Sequence, residues 1–372
     1  MTNELPGLDV VGLSAWLARE HPELAGPDTG PGPGLTATLV PGGRSNLTYR
    51  VDGAARPLVL RRPPLGHVLS SAHDMRREHR VITALAGTIP VPPTVAVVDD
   101  TAAAEVTGTV FFVMEYVAGA ALARPEDNAA WTPAGLGRLA TELAEVLADL
   151  HGTDPVAVGL ADFGRPAGYL GRQLKTWRRQ YDASRSRPQP LLDTLQERLA
   201  DAVPDDGARS GIVHGDYRLD NVLVAGRPDA PHVAAVLDWE MATLGDPLVD
   251  LGMLGMYWDI HELTRAAGVV GVAGAIVPGA GYPDFAEVID AYAARAGIAV
   301  PDLAWYRAFA CYKLAVILEG INYRFTGGQT VGAGFDTIGA LVAPLAAEGL
   351  ARLGVATGGV VPSRPATTEG GA

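Results

Sequence analysis

Short loops between apolar runs carry, in order, a carboxylate, an amide and two more carboxylates. Asp216 and Asn221 lie in Val213-His214-Gly215-Asp216-Tyr217-Arg218-Leu219-Asp220-Asn221, and Asp238 and Glu240 in Val236-Leu237-Asp238-Trp239-Glu240. Phosphoryl transfer asks for few side chains: one carboxylate to orient and deprotonate the attacking hydroxyl, and oxygen ligands to hold Mg²⁺ on the phosphates. Asp216 fits the first task; Asn221 and Asp238 fit the second. Aspartate and asparagine between strands also serve as turn formers and caps, because their short side chains bond nearby backbone. That plainer role accounts for any one of them. It does not account for the ordered set, flanked by strand-like Asn221–Val224 and Val233–Leu237.

Positioning such a set takes a scaffold, and 372 residues can bury a large core and form two lobes. Residues 7–24 read as a helix and the Pro- and Gly-rich stretch 26–34 as a linker. Strand-like runs follow at 35–40, 47–51 and 57–60, with Pro41-Gly42-Gly43-Arg44-Ser45-Asn46 between the first two. A glycine-rich tip lets backbone N–H groups approach phosphate oxygens, although the same residues also make an ordinary tight turn. A helix is expected over 71–86, capped by Ser70 or Ser71, and two strands at 94–98 and 109–117. The pattern then turns helical. Leu136, Leu139, Leu143, Leu147 and Leu150 recur at spacings of three and four up to His151-Gly152. Further helices are expected at 166–184, 189–203, 246–257, 284–296, 301–325 and 335–353, with a disordered tail over 354–372. The fold class implied is α+β, two-lobed. Residues 35–117 form a small nucleotide-binding lobe of antiparallel sheet with one main helix, and 118–353 a larger, mostly helical catalytic lobe, with the site in the cleft between them.

Composition narrows the function. A net charge of −13 argues against a nucleic-acid partner, which would call for a basic footprint. One cysteine, Cys311, excludes an intramolecular disulfide and a Cys-based zinc cluster, and its apolar helical setting marks it as buried and inert. No basic region precedes an apolar core at Met1–Pro6, so the expectation is a cytoplasmic chain. The uncharged run 266–283 approaches membrane-span length, but its glycines and Pro278 make it a loop or short helical segment. No membrane partner is expected.

The chain resembles the aminoglycoside phosphotransferase superfamily, whose fold is kinase-like. More narrowly, it is similar to the N-terminal phosphotransferase region of certain acyl-CoA dehydrogenase family proteins. The residues that carry this are Gly42–Asn46, Val59–Pro64, Arg77–Val81, Val113–Tyr116, His214–Asn221 and Leu237–Pro247; Val158–Pro166, with Asp162-Phe163-Gly164-Arg165-Pro166, points to the subgroup. The resemblance implies ATP and Mg²⁺ as cofactors, with Asp216 as catalytic base and Asn221 and Asp238 as metal ligands, Glu240 standing near the metals. It implies that Gly43, Arg44 and Ser45 cover the phosphates and that Glu115, Tyr116 and Val117 form the hinge receiving adenine through backbone groups. Asp250 and His214 are expected to brace the fold. Where kinase-like enzymes carry a lysine on the third strand, this chain reads Leu60-Arg61-Arg62. Arg61 is expected to pair bidentately with Glu78 and still reach a phosphate.

Charge also speaks to the acceptor. Arg165, Arg172, Lys175, Arg178, Arg179, Arg185 and Arg187 lie between Gly164 and Pro188 against one acid, Asp182. Arg172, Lys175 and Arg179 share a helix face, which suits an anionic substrate such as a hydroxyacyl-CoA. A solvated face pairing with acidic neighbours is the plainer reading. The function implied is phosphoryl transfer to a small-molecule hydroxyl by a monomer or homodimer. An aminoglycoside or macrolide O-phosphotransferase and a catalytically weak nucleotide-binding protein are the alternatives.

Overall fold

The computed structural model describes residues 5–26, 34–40, 46–65, 74–205, 209–269, 272, 274–328 and 335–356. Strand alternation builds the first lobe. Its elements are α1 (Val10–Glu20), β1 (Thr36–Leu39), β2 (Leu47–Asp52), β3 (Leu58–Arg62), α2 (Met75–Leu85), β4 (Thr94–Asp99) and β5 (Val110–Glu115). The five strands pair antiparallel in the order β1-β2-β3-β5-β4, with Leu58 opposite Glu115 and Arg61 opposite Phe112. Successive side chains leave opposite faces. Leu58, Leu60, Phe111 and Val113 therefore pack on one side, and Val59, Phe112 and Met114 on the other.

Each face receives one helix. Asp9 caps α1 by accepting the Val11 and Gly12 amides at 2.9 and 3.0 Å. Leu13, Trp16 and Leu17 then cover the outer face with Tyr49, Val51, Phe111 and Val113. Through α1 the N-terminal helix, expected to stand with its linker as a separate segment over 1–34, packs into this lobe's core; residues 1–4 and 27–33 of that segment lie outside the described residues. The inner face takes α2 through Met75, Val81, Ile82 and Leu85. The described helix begins at Met75, with Asp74 as its cap accepting the Arg76 and Arg77 amides at 3.0 Å; Ser70 and Ser71 lie outside the described residues.

The second lobe holds α3 (Pro133–Gly152), α4 (Tyr169–Ser184), α5 (Pro190–Asp201), β6 (Gly211–Val213), β7 (Val222–Arg227), β8 (Ala230–Val236), β9 (Thr243–Gly245), α6 (Leu248–Ala267), α7 (Phe285–Ala296), α8 (Ala304–Thr326) and α9 (Val342–Arg352). The leucine stripe of α3 is buried as its spacing requires. Two boundaries differ from expectation. α6 continues to Ala267 and ends only where Gly268 turns left-handed at φ 65°. The helix expected from 335 begins at Val342, after one tight turn over Ile338–Leu341. The pair β6 and β9, three residues each, was not foreseen at all. Together with the β7–β8 hairpin it frames the site: Asp216 lies on the connection from β6 to β7, and Asp238 on the connection from β8 to β9.

Among the described residues no helix is long and apolar enough to cross a membrane. Cys311 is buried as expected, and burial pushes its thiol up to about 12.

Candidate active site

The Asp216 loop is fixed by its own neighbours. The fully buried Asp250 accepts the His214 amide at 2.7 Å and the Gly215 amide at 2.8 Å. The His214 ring donates from Nε2 to the Leu237 carbonyl at 2.9 Å and accepts the Asp216 amide at Nδ1, 3.2 Å away. Both residues brace the loop, as the sequence suggested. His214 also ties it to the strand that leads into Asp238.

Asp216 Oδ2 accepts from Asn221 Nδ2 at 2.9 Å and from Arg218 Nε at 3.2 Å. Asn221 donates as well to the Asp216 carbonyl, and its own carbonyl takes the Leu237 amide at 2.8 Å. Asp216, Asn221 and the Asp238 loop are thus one bonded unit. Burial pushes the Asp216 carboxyl up, but Arg218, Lys313 and His214 outweigh it and hold the group below the usual range. Asp238 sits at φ 64°, a left-handed conformation uncommon for a non-glycine residue and frequent at functional sites.

Arg61 departs from the expected pairing. Its Nε lies 3.2 Å from Glu78 Oε2, and its other end donates from Nη2 to Asp238 Oδ1 at 2.7 Å. The guanidinium bridges the helix carboxylate and the Asp238 loop instead of closing both donors on Glu78. Strand alternation explains the choice between the adjacent arginines. Arg61 shares the inner face with Val59, whereas Arg62 points outward and donates to the Gly7 and Thr107 carbonyls. Burial pushes the Glu78 carboxyl up to about 7, with Arg61 pulling it down and Asp238 and Glu240 pushing it further up.

Asn221 Oδ1 and Asp238 Oδ2 take no hydrogen bond from the described residues. An amide oxygen and a carboxylate oxygen are the hard donors that Mg²⁺ accepts, its remaining positions being filled by phosphate and water. Glu240 accepts from Asn46 at 3.1 Å, next to the glycine-rich tip. Gly43, Arg44 and Ser45 lie outside the described residues. At the hinge, the Glu115 amide donates to Pro93 and the Tyr116 amide to Pro57, while Arg56 pairs with the Glu115 carboxylate and Arg50 lies 4.3 Å from the Tyr116 ring centre. Val117 is the hinge residue whose N–H bonds to no described residue.

Most of the basic stretch is already engaged within the chain. Arg178 binds Asp182, Arg185 binds Asp193, and Arg187 binds Glu319 at 2.9 Å. Arg172 turns onto the Ala167 and Arg165 carbonyls, and Arg179 reaches Thr176. Lys175 is exposed and makes no polar contact with described residues.

Arg218 had no role assigned from the sequence; it also binds Asp220 at 2.9 Å and lies 5.0 Å from the Tyr257 ring centre. These residues line a narrow crevice with Leu122, Leu219 and Ile276. A larger cavity of about 610 Å³, between α7, α8 and α9, contains none of the expected site residues. Nor did the sequence single out Arg77 as an interlobe contact. Its guanidinium stacks 3.7 Å from the Phe163 ring centre and donates to the Phe163 and Ala242 carbonyls, while Arg80 holds Gly159 and Asp162. Arg77→Met, which strips two carbonyls and a ring of their partner, is expected to lower stability by about 2 kcal/mol. Thermal denaturation checks it, and a midpoint equal to wild type would refute the contact's importance.

A small sheet lobe, a large helical lobe and acidic loops at their junction are the architecture of the kinase-like small-molecule phosphotransferases. Comparison with known proteins agrees: the model of the phosphotransferase enzyme family, APH, matches residues 36–309, and the chain belongs to that family. It is 33% identical to a candidate aminoglycoside phosphotransferase from Ralstonia eutropha, whose crystal structure superposes with a TM-score of 0.75 over 93% of this chain and 98% of that one. Choline kinase from Cryptosporidium parvum shares the fold at 11% identity, with a TM-score of 0.61 over 93% and 96% of the two chains. Among curated proteins, acyl-CoA dehydrogenase family member 11 of Gallus gallus is 34% identical over 86% of this chain, and member 10 of Mus musculus 34% identical over 82%. The chain spans 40% and 28% of those two relatives' lengths.

Proposed function

We propose that this chain moves the γ-phosphoryl group of ATP, with Mg²⁺, to a hydroxyl of an anionic small molecule, with a hydroxyacyl-CoA or related acid as the acceptor. The observation that carries the reaction is the bonded unit of Asp216, Asn221 and the Asp238 loop, an ionised carboxylate beside two free oxygen donors. In this reading Asp216 positions the acceptor hydroxyl in line with the γ-phosphorus and takes its proton as the new O–P bond forms and the bond to the β-phosphate oxygen breaks. Asn221 and Asp238 would hold Mg²⁺, which neutralises charge on the phosphates when bound. Arg61 would leave Asp238 to the metal and turn to the phosphates, still anchored by Glu78. The Val117 N–H would receive adenine, and Gly43, Arg44 and Ser45 would cover the phosphates, with Glu240 near the metal.

Support for an anionic acceptor comes from Lys175 and Arg179, exposed on α4, and from relatives named as acyl-CoA dehydrogenases. Lys175→Glu with Arg179→Glu is expected to raise the acceptor KM about tenfold and leave nucleotide affinity alone, as initial rates would show. The deciding experiment is transfer of labelled phosphate from ATP and from GTP to a library of hydroxylated metabolites, with CoA thioesters, aminoglycosides and macrolides as separate arms. Label on the antibiotics alone would move the substrate to that class. Nucleotide binding without Mg²⁺ dependence, and no labelled product, would make the chain a kinase-fold binding protein.

A further inference from the structure

Lys313 stands in the middle of the apolar stretch Phe309-Ala310-Cys311-Tyr312-Lys313-Leu314-Ala315-Val316 of α8, and it is only 5% exposed. A buried ammonium normally sits against a carboxylate. Among the described residues Lys313 forms no ion pair. It donates instead to the Gly215 carbonyl and lies 5.3 Å from the centre of the Trp177 ring of α4. The carboxylates that act on it, Asp216 and Asp250, do so from beyond ion-pair distance.

That carbonyl matters because of the peptide it belongs to. The Gly215 oxygen and the Asp216 amide are the two polar ends of one planar unit. Lys313 holds the oxygen, and His214 Nδ1 holds the amide at 3.2 Å. Gly215 itself is at φ +86°, with its amide on Asp250, and a Cβ there would meet the Met241 carbonyl at 2.8 Å. A glycine in such a conformation has backbone freedom that only its neighbours can remove. Rotating this peptide would swing the Asp216 carboxylate away from Asn221.

We propose that Lys313 is a positioning residue for phosphoryl transfer, fixing through the Gly215 carbonyl the peptide that aims Asp216. The role in transfer rests on the function proposed above; the effect on the loop does not.

The test is backbone hydrogen exchange on the full chain, with labelled Mg·ATP turnover read beside it, to water and to the acceptor the library yields. Lys313→Met keeps the length and removes the donor. Its amides at 214–216 are expected to exchange at least about tenfold faster, with those of α3 and α6 unchanged, and kcat to fall about 100-fold at constant nucleotide KM. Lys313→Arg keeps a donor and should recover part of both. Lys313→Ala, whose space admits water, repeats the test should the Met chain not fold. Wild-type exchange at 214–216 in the Met or Ala chain overturns the proposal. So does acceleration spread evenly over the lobe. If wild type transfers nothing, the exchange result still decides the part played by Lys313, and the failure falls on the proposed function.

Discussion

Asp216→Asn is expected to lower phosphoryl transfer about 10³-fold and to leave the Mg·ATP dissociation constant within about twofold. The argument is local. Asp216 Oδ2 is already engaged by Asn221 and Arg218, which leaves Oδ1 to meet the acceptor hydroxyl. An asparagine of the same shape can keep its oxygen toward those two donors, but it then presents an NH₂ group where the proton must go. Ground-state binding of the nucleotide depends on the metal ligands and the hinge, so it should survive. Calorimetric titration with Mg·ATP, beside initial rates on the same preparation, separates the two effects. A variant with a tenth or more of wild-type turnover would show that Asp216 is not the base.

Asp250→Ala should produce the largest loss of stability, about 3–5 kcal/mol and, for a chain of 372 residues, a fall in Tm of roughly 4–6 °C. The carboxylate has no solvent exposure, and it accepts the His214 and Gly215 amides and the His151 Nε2–H at 3.2 Å. Alanine leaves two backbone donors and an imidazole without an acceptor, in a place water cannot enter readily. His151 would also lose one of its two partners, keeping only the Tyr292 hydroxyl at 2.9 Å. Differential scanning calorimetry measures the effect. A midpoint within about 2 °C of wild type would mean that the loop finds other acceptors.

Much of this was legible in the chain because it depends on short periods. The leucine spacing of α3 marked a buried stripe, and the strand runs of the first lobe were visible; Arg61 was singled out by its place in the family pattern, and the alternation that turns it and not Arg62 toward α2 is seen in the fold. The order Asp216, Asn221, Asp238 pointed to phosphoryl transfer, the reaction class that the family match supports. What escaped needed partners distant in sequence. β6 and β9 are three residues each, too short to show a period, and they exist because they pair with one another. The acids that pair with Arg185 and Arg187 are Asp193, on the next helix, and Glu319, on α8. Nothing around Lys313 in the sequence hints that its ammonium ends on the Gly215 carbonyl. The second half of the Arg61 bridge was missed for the same reason, since Asp238 belongs to the other lobe.

Arg77 and Arg80 bolt α2 to the far lobe through Phe163, Ala242, Gly159 and Asp162. Glu78 lies between them in sequence, on the same rigid turn, so it cannot retreat from Arg61 without tearing those bolts out. In kinases governed by phosphorylation, ordering of a loop and placement of the corresponding helix switch the enzyme on. Here α2 is held by its own side chains to the far lobe, so its placement follows from contacts within the chain and needs no phosphorylated loop to set it.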